Sequence, residues 1–94
     1  MTTTLWRLKV IPEQEAEFEA LVMQLVRDVH ANEPGQVFEY RRTQGVEREY
    51  VLFLSFGDDA AFERYSNAEY HRGLSPKIMA CLASPPVAEQ LDVF

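Results

Sequence analysis

The side chains best suited to chemistry in this chain are two tyrosines and a histidine in its second half, Tyr65, Tyr70 and His71. A phenol can hydrogen-bond a substrate oxygen, and an imidazole with a reference pKa of about 6.5 can accept a proton at neutral pH. Each residue also has a structural interpretation. The tyrosines would be large core side chains whose hydroxyls reach water, and His71 would be exposed on a polar turn beside Arg72 and Gly73.

Two further candidates lie in predicted strands. Glu39 shares a strand face with Val37 and Arg41, and burial beside Val37 would raise its pKa and make it a usable acid or base. The alternative is an ion pair with a basic side chain such as Arg41. Trp6, the only tryptophan, shares a face with Leu8. It either packs beneath the helices or lines a pocket and a dimer surface.

Metal and cofactor sites are not indicated by residue spacing. The two histidines, His30 and His71, form no His-x-x-x-His or Glu-x-x-His spacing on a helix face. The four glycines are not clustered, so no phosphate-binding loop is predicted. Cys81 is the only cysteine and is expected to pack in the core. We therefore expect no metal and no cofactor.

Composition limits the partners and the location. The chain has 94 residues, which predicts one domain spanning residues 1–94. Its net charge of −6 and its scattered basic residues oppose nucleic-acid binding. No apolar stretch is long enough to span a membrane, and the first residues do not read as a signal peptide. A single thiol fits a reducing compartment, so we expect a cytoplasmic protein.

The elements that would position these residues follow from hydrophobic periodicity. Alternation predicts strands at residues 4–11, 36–43, 48–56 and 87–94. Apolar spacings of three and four predict a helix that begins at Pro12 and ends at Asn32. A second helical region follows a cap at Asp58, and it is predicted to be broken, with a restart at Asn67 and another helix start at Ser75-Pro76. The order β-α-β-β-α-β is the ferredoxin-like α+β arrangement, a four-stranded antiparallel sheet with helices on one face.

The third predicted strand is apolar on both faces. One set of alternating residues is aromatic and aliphatic throughout, and the other contains Val51 and Phe53. Helices on one side of a sheet can cover only one of these faces. We therefore predict that a second copy of the chain covers the other face in a homodimer.

The stretch Tyr50-Val51-Leu52-Phe53-Leu54-Ser55-Phe56, followed by Asp58-Asp59-Ala60-Ala61-Phe62 and Asn67-Ala68-Glu69-Tyr70-His71, resembles the antibiotic biosynthesis monooxygenase family. The N-terminal half adds Val10-Ile11-Pro12 and Glu33-Pro34-Gly35, so the resemblance spans nearly the whole chain. It implies a dimeric α/β barrel in which each subunit keeps a pocket between sheet and helices. It also implies oxidation of phenolic, polyketide-like or quinol substrates by molecular oxygen without metal or flavin.

Some positions depart from the family pattern. Phe56 stands where a strand-end Trp is usual, Tyr70 where His is common, and Glu39 where Tyr or Phe is common. These departures leave no complete catalytic set to carry over from the family. From the chemistry of the residues themselves, we expect Trp6, Tyr65 and Phe56 to bind substrate and Tyr70, His71 and Glu39 to act in catalysis. The predicted function is a cofactor-independent monooxygenase acting on a small aromatic, phenolic or quinol substrate. The alternative is a non-catalytic dimer, or an accessory protein, that binds a small apolar or aromatic molecule with the same fold.

Overall fold

The computed structural model describes residues 1–94, and its elements follow the predicted order. Along the chain these are β1 (Thr2–Lys9), a 3-10 turn (Pro12–Gln14), α1 (Glu15–Asn32), β2 (Val37–Arg42), β3 (Glu49–Phe56), α2 (Asp59–Asn67), α3 (Glu69–Ala80) and β4 (Val87–Gln90). The strands form one antiparallel sheet in the order β2-β3-β1-β4. This is the predicted ferredoxin-like α+β fold.

The core lies between one face of the sheet and the helices. Alternate residues of β3 are buried, and across the sheet they stand opposite helix-facing residues of β1 and β2. Helix α1 adds one buried stripe, and the largest side chains with no exposed surface are three phenylalanines and one valine. Burial of such side chains contributes about 1.5–3 kcal/mol each to stability. These four side chains are Phe18, Phe38, Phe56 and Val29.

The second helical region is broken, as predicted, and the break lies beside the restart predicted at Asn67. The chain is extended at Ala68 (φ −66°, ψ 143°), between α2 and α3. The predicted helix start at Ser75-Pro76 is wrong, because Pro76 lies inside α3. An internal proline removes a hydrogen bond and costs about 3 kcal/mol. The residues before Pro76 are helical, and the burial of Ile78 (5% exposed) keeps the residues after it in the same helix.

The last strand is shorter than predicted. β4 ends at Gln90, and a final hydrogen bond from the Leu91 amide to the Thr3 carbonyl (2.9 Å) follows it. β4 pairs only with β1, in a register that places Gln90 opposite Thr4. Because β1 begins at Thr2, residues near the C-terminus have no strand left to pair with. The predicted strand over residues 87–94 is therefore correct only in its first half.

The face of the sheet opposite the helices is partly apolar and uncovered. Leu5 on β1 stands opposite Phe53 on β3, and Phe53 in turn stands opposite Glu39 on β2. Phe53 is 36% exposed and Val37 40% exposed. We call this surface the open face. No helix of the fold is both long enough and apolar enough to cross a membrane.

Candidate functional site

A cavity of about 310 Å³ lies between the sheet and the helices. Its volume falls at the lower end of the range for small-molecule sites, about 300–1,000 Å³. Nine of its twelve lining residues are hydrophobic, and none is charged apart from the titratable His71. The apolar wall is formed mainly by Trp6, Leu8, Leu25, Leu52, Leu54 and Ile78. Because an isolated charge is costly to bury in such surroundings, the cavity favours an uncharged aromatic or aliphatic molecule.

The polar groups of the cavity come from three elements. Tyr40 projects from β2, Tyr65 from α2, and His71 and Ser75 from α3. The extended residue Ala68 changes the chain direction between Tyr65 and His71, so that side chains from two helices line one cavity. The rings of Tyr65 and His71 are in contact, with centroids 4.5 Å apart and planes at 57°.

The Tyr65 ring is fixed by its neighbours. Its centroid lies 5.4 Å from that of Phe38 and 5.2 Å from that of Phe56. Aromatic pairs in tilted or edge arrangements at such separations are favourable beyond their burial. Only 6% of Tyr65 is exposed. Packing against these two sheet residues therefore fixes the Tyr65 ring beside His71.

His71 is held in its neutral form. Burial lowers the pKa of its imidazole below the ordinary 6.5, and the backbone of Ser66 opposes this effect only in part. Its Nδ1 atom is buried without a hydrogen-bond partner in the protein. A neutral imidazole can accept a proton at pH 7. His71 is thus chemically suited to serve as a base.

The tyrosines of the cavity are also held in their neutral form, because their pKa values are raised. Burial raises the pKa of Tyr65, and neighbouring Tyr40 and Tyr70 raise it further. Burial alone raises the pKa of Tyr40. Both phenols therefore stay protonated at neutral pH and can donate a hydrogen bond to a ligand oxygen.

Tyr40 and Ser75 were missed by sequence reasoning, although signals for both exist. Tyr40 shares its face of β2 with Phe38, the most deeply buried residue of that strand. Ser75 lies four residues after His71, the spacing that places two side chains on one side of a helix. The wrongly predicted helix start at Ser75 obscured that relation.

Three predicted site residues are not brought to the cavity. Tyr70 packs with its hydroxyl buried and unpartnered, and its pKa is raised by burial and by the charges of Glu33 and Asp28. Glu39 lies on the open face, half exposed, and forms an ion pair with Arg41 at 3.4 Å. The roles predicted for Tyr70 and Glu39 stay predictions that these positions do not support.

Phe56 belongs to the core rather than to the cavity lining. It has no exposed surface, and its ring centroid lies 5.6 Å from that of Phe62 as well as 5.2 Å from that of Tyr65. Phe56 therefore supports Tyr65 from behind. Its predicted substrate contact stays a prediction without support from its position.

A polar depression of about 400 Å³ lies elsewhere, beside the β2–β3 turn. Its charged groups are largely paired with one another or with their neighbours. The Tyr50 hydroxyl contacts Glu19 at 2.5 Å and Glu15 at 3.0 Å, and Arg42 also donates to Glu19. The Tyr50 contact and the Arg42 contact lower the pKa of Glu19. This cluster ties α1 to the sheet, and no group of three or more His, Cys, Asp or Glu residues is placed to hold a metal ion.

Fold and cavity together define a class of protein: a ferredoxin-like α+β domain with an apolar pocket between its sheet and its helices. Residues 1–75 match the profile of the antibiotic biosynthesis monooxygenase family. The chain therefore belongs to the antibiotic biosynthesis monooxygenase family. The family resemblance stated from the sequence is confirmed.

Solved structures share this fold. The fold is similar to that of a protein from Caulobacter crescentus described as a candidate antibiotic biosynthesis monooxygenase, with a TM-score of 0.90, 29% identity, and coverage of 99% of this chain and 89% of that chain. A protein named antibiotic biosynthesis monooxygenase gives a TM-score of 0.86, 20% identity, and coverage of 100% and 99%.

More distant structures share the fold alone. A conserved protein from Methanosarcina mazei gives a TM-score of 0.86 at 14% identity, with coverage of 96% of this chain and 89% of that chain. No curated protein sequence matches the chain. The family and the fold are thus fixed, while the relatives give no substrate for this chain.

Proposed function

We propose that this protein is a cofactor-independent monooxygenase that oxidises a small, neutral phenol or quinol with molecular oxygen. The observation that carries the proposal is the Tyr65–His71 pair, which places a neutral imidazole beside a protonated phenol in an uncharged cavity. Such a pair can take a proton from a substrate and donate a hydrogen bond to the same substrate. Membership of the family supports this class of reaction.

The proposed reaction begins with proton transfer from the substrate hydroxyl to the imidazole of His71. The resulting electron-rich anion gives electrons to oxygen, and a carbon–oxygen bond forms at a ring carbon that carries hydrogen. Loss of water from the peroxide leaves a carbonyl at that carbon. A phenol and one O₂ thus give a quinone and one water: the substrate loses four electrons and the oxygen molecule gains four.

The other lining groups would stabilise the developing charge. The hydroxyls of Tyr65 and Tyr40 are protonated donors near the same cavity, and they can bind the substrate oxygen or the peroxide. The apolar wall lowers the local polarity, which strengthens these hydrogen bonds. Trp6 offers the largest flat surface in the wall for contact with an aromatic ring.

We also propose that the open face joins two copies of the chain. Phe53 and Val37 are more than a third exposed there, and Val87 is 59% exposed. Ion pairs of Arg7 with Glu89 (3.7 Å) and of Arg41 with Glu39 (3.4 Å) flank the apolar centre. An apolar patch with a charged rim is the usual composition of an interface.

Oxygen uptake tests the catalytic proposal. The wild-type protein is incubated with a panel of hydroquinones and phenolic polyketides, and the same panel is given to His71→Ala and Tyr65→Phe. Loss of the base is expected to lower kcat/KM by about 10²–10⁴, and loss of the phenol donor by about tenfold. No oxygen uptake with any substrate would contradict catalysis, and unchanged rates in both variants would remove these residue roles.

One observation favours a second candidate, ligand binding without turnover. The Nδ1 atom of His71 has no hydrogen-bond partner in the protein, whereas catalytic bases are commonly oriented by a third group. Native mass spectrometry of the protein purified from cells distinguishes the two. A retained molecule of defined mass, together with no oxygen uptake, would favour the binding role.

A further inference from the structure

The Tyr40 side chain lies between two depressions of the protein and lines both. The main cavity of about 310 Å³ is lined by Tyr40 at its β2 end. A second depression of about 160 Å³ lies between α1 and the edge strand β2, and Tyr40 lines that one too. No other residue lines both. The Tyr40 side chain is therefore the shared wall.

We infer that Tyr40 sets the length limit for the ligand by closing the main cavity toward this second depression. The inference rests on the proposed function, because it takes the same cavity as the ligand site. Tyr40 stands at the outermost strand on the helix-facing side, opposite Leu52 of β3. A flat ligand lying across the sheet from Trp6 toward β2 meets the Tyr40 ring at that end.

The Tyr40 ring is held in place by packing rather than by its hydroxyl. Its centroid lies 6.2 Å from that of Phe18 and 5.9 Å from that of Phe38, both in edge arrangements. The side chain is confined by one helix residue and one strand residue that have no exposed surface. A ring held in this way does not move aside readily, since protein interiors are close-packed. The wall is thus fixed for the ligand.

The second depression is the natural extension of the cavity. Its apolar side is formed by Val22 and Met23 of α1, and Arg41 and Arg42 lie at its outer side. Removal of the Tyr40 ring would join the two spaces. The joined space would accept a longer, still neutral, aromatic skeleton. A molecule of two fused rings is shorter and would gain less from the added length.

The inference is tested by measuring the affinity of the protein for a series of hydroxylated quinones of increasing length. Naphthoquinone, anthraquinone and tetracenequinone derivatives are already oxidised, so binding is measured without turnover. Trp6 is the only tryptophan and lines the cavity, so quenching of its fluorescence reports occupancy. The proteins compared are wild type, Tyr40→Val, which removes the ring and keeps a strand-forming residue, and Tyr40→Phe, which keeps the ring and removes the hydroxyl.

The expected result is a change in the ratio of affinities. Tyr40→Val should bind the four-ring quinone at least about tenfold more tightly, relative to the two-ring quinone, than wild type does. Tyr40→Phe should keep the wild-type ratio, whatever its absolute affinity. Tyr40→Leu replaces Tyr40→Val if circular dichroism shows that the valine variant does not fold.

Two results would overturn the inference, and they differ. If the quinones bind but the ratio is the same in the folded ring-removing variant, Tyr40 does not set the length limit and the proposed function stands. If no quinone quenches Trp6 in any of the proteins, the cavity is not the ligand site, and the proposed function fails together with the inference.

Discussion

The ionisable side chains that line the cavity hold the uncharged form. The pKa of His71 is lowered and those of Tyr40 and Tyr65 are raised, in each case with burial as the largest cause. A neutral acceptor and neutral donors then face one cavity. This arrangement is the physical basis of the proposed chemistry at the level of single residues.

The lowered pKa of His71 has a consequence for stability. Below pH 6.5 the imidazole of His71 takes up a proton in the unfolded chain more readily than in the folded protein. The free energy of unfolding therefore decreases as the pH falls from 6.5 toward the lowered pKa of the folded protein. The carboxyl groups with lowered pKa also stabilise the fold, but this stabilisation is lost only when the pH falls below about their ordinary pKa values. These values are 4.5 for Glu19 and Glu33 and 3.8 for Asp59. Urea unfolding of wild type between pH 7 and pH 5 should therefore show a loss that His71→Gln lacks. Equal pH dependence in both proteins would contradict the burial of His71.

The two tyrosines on either side of the α2–α3 break should respond differently to loss of their hydroxyls. Tyr65→Phe removes a donor from the cavity and is expected to weaken binding of a hydroxyquinone about tenfold. Tyr70→Phe removes a buried hydroxyl that has no partner, so affinity should be unchanged and stability equal or higher. Fluorescence titration of Trp6 and thermal unfolding measure the two effects. A larger loss of affinity in Tyr70→Phe than in Tyr65→Phe would reverse the assignment of the site.

At the level of elements, helix α2 is the support on which Tyr65 depends. The Asp58 side chain accepts a hydrogen bond from the Ala61 amide at 2.7 Å and so caps this nine-residue helix. Arg64 of the same helix donates to Glu33 at the end of α1 at 2.9 Å and 3.0 Å. The guanidinium of Arg64 lowers the pKa of Glu33. Cap and ion pair together fix α2 against α1.

Replacement of the cap gives a measurable loss of stability. Asp58→Ala leaves the Ala61 amide without its partner and should lower the free energy of unfolding by about 1 kcal/mol. In a domain of this size the midpoint of thermal unfolding then falls by about 4–8 °C. Asp58→Asn keeps an acceptor oxygen and should stay close to wild type. An equal loss in both variants would mean that the charge of Asp58, rather than its hydrogen bond, stabilises the helix.

The elements were largely predictable from the sequence, and the exceptions have physical causes. Periodicity predicted α1 and the first three strands to within about three residues, and the turn between β2 and β3 contains Gly45 at φ 81°. Pro76 misled the prediction because local preference favours a helix start there, while the packing of Ile78 keeps α3 continuous. The end of β4 depends on where its partner strand begins, which no local pattern encodes.

The site was less predictable than the fold. Alternation alone places Tyr40 on the face of β2 shared with Phe38, yet it does not tell which residues border an empty space. Tyr65 and His71 meet because the chain is extended at Ala68, and Tyr70 turns away for the same reason. Such a relation depends on the packing of three elements at once. Side-chain type identified the candidates, and only the tertiary structure separates them.

At the level of the whole molecule, the open face is the feature that a single chain leaves unexplained. Phe53→Glu places a charge at its centre, opposite both Leu5 and Glu39. We expect this variant to be a monomer at micromolar concentration and wild type to be a dimer. Val46→Glu is the matched control, because Val46 is 47% exposed in the β2–β3 turn, away from this face. Analytical ultracentrifugation measures both. A monomeric wild-type protein would contradict dimerisation through this face.

The central claim is that the cavity between sheet and helices is the site where the ligand binds. A crystal structure of the protein with a bound hydroxyanthraquinone tests it most directly. We expect the rings to lie in the cavity against Trp6, with one ligand oxygen within hydrogen-bonding distance of Tyr65 or His71 and one end against Tyr40. A quinone found only in the polar depression beside Tyr50, or only on the open face, would contradict the claim.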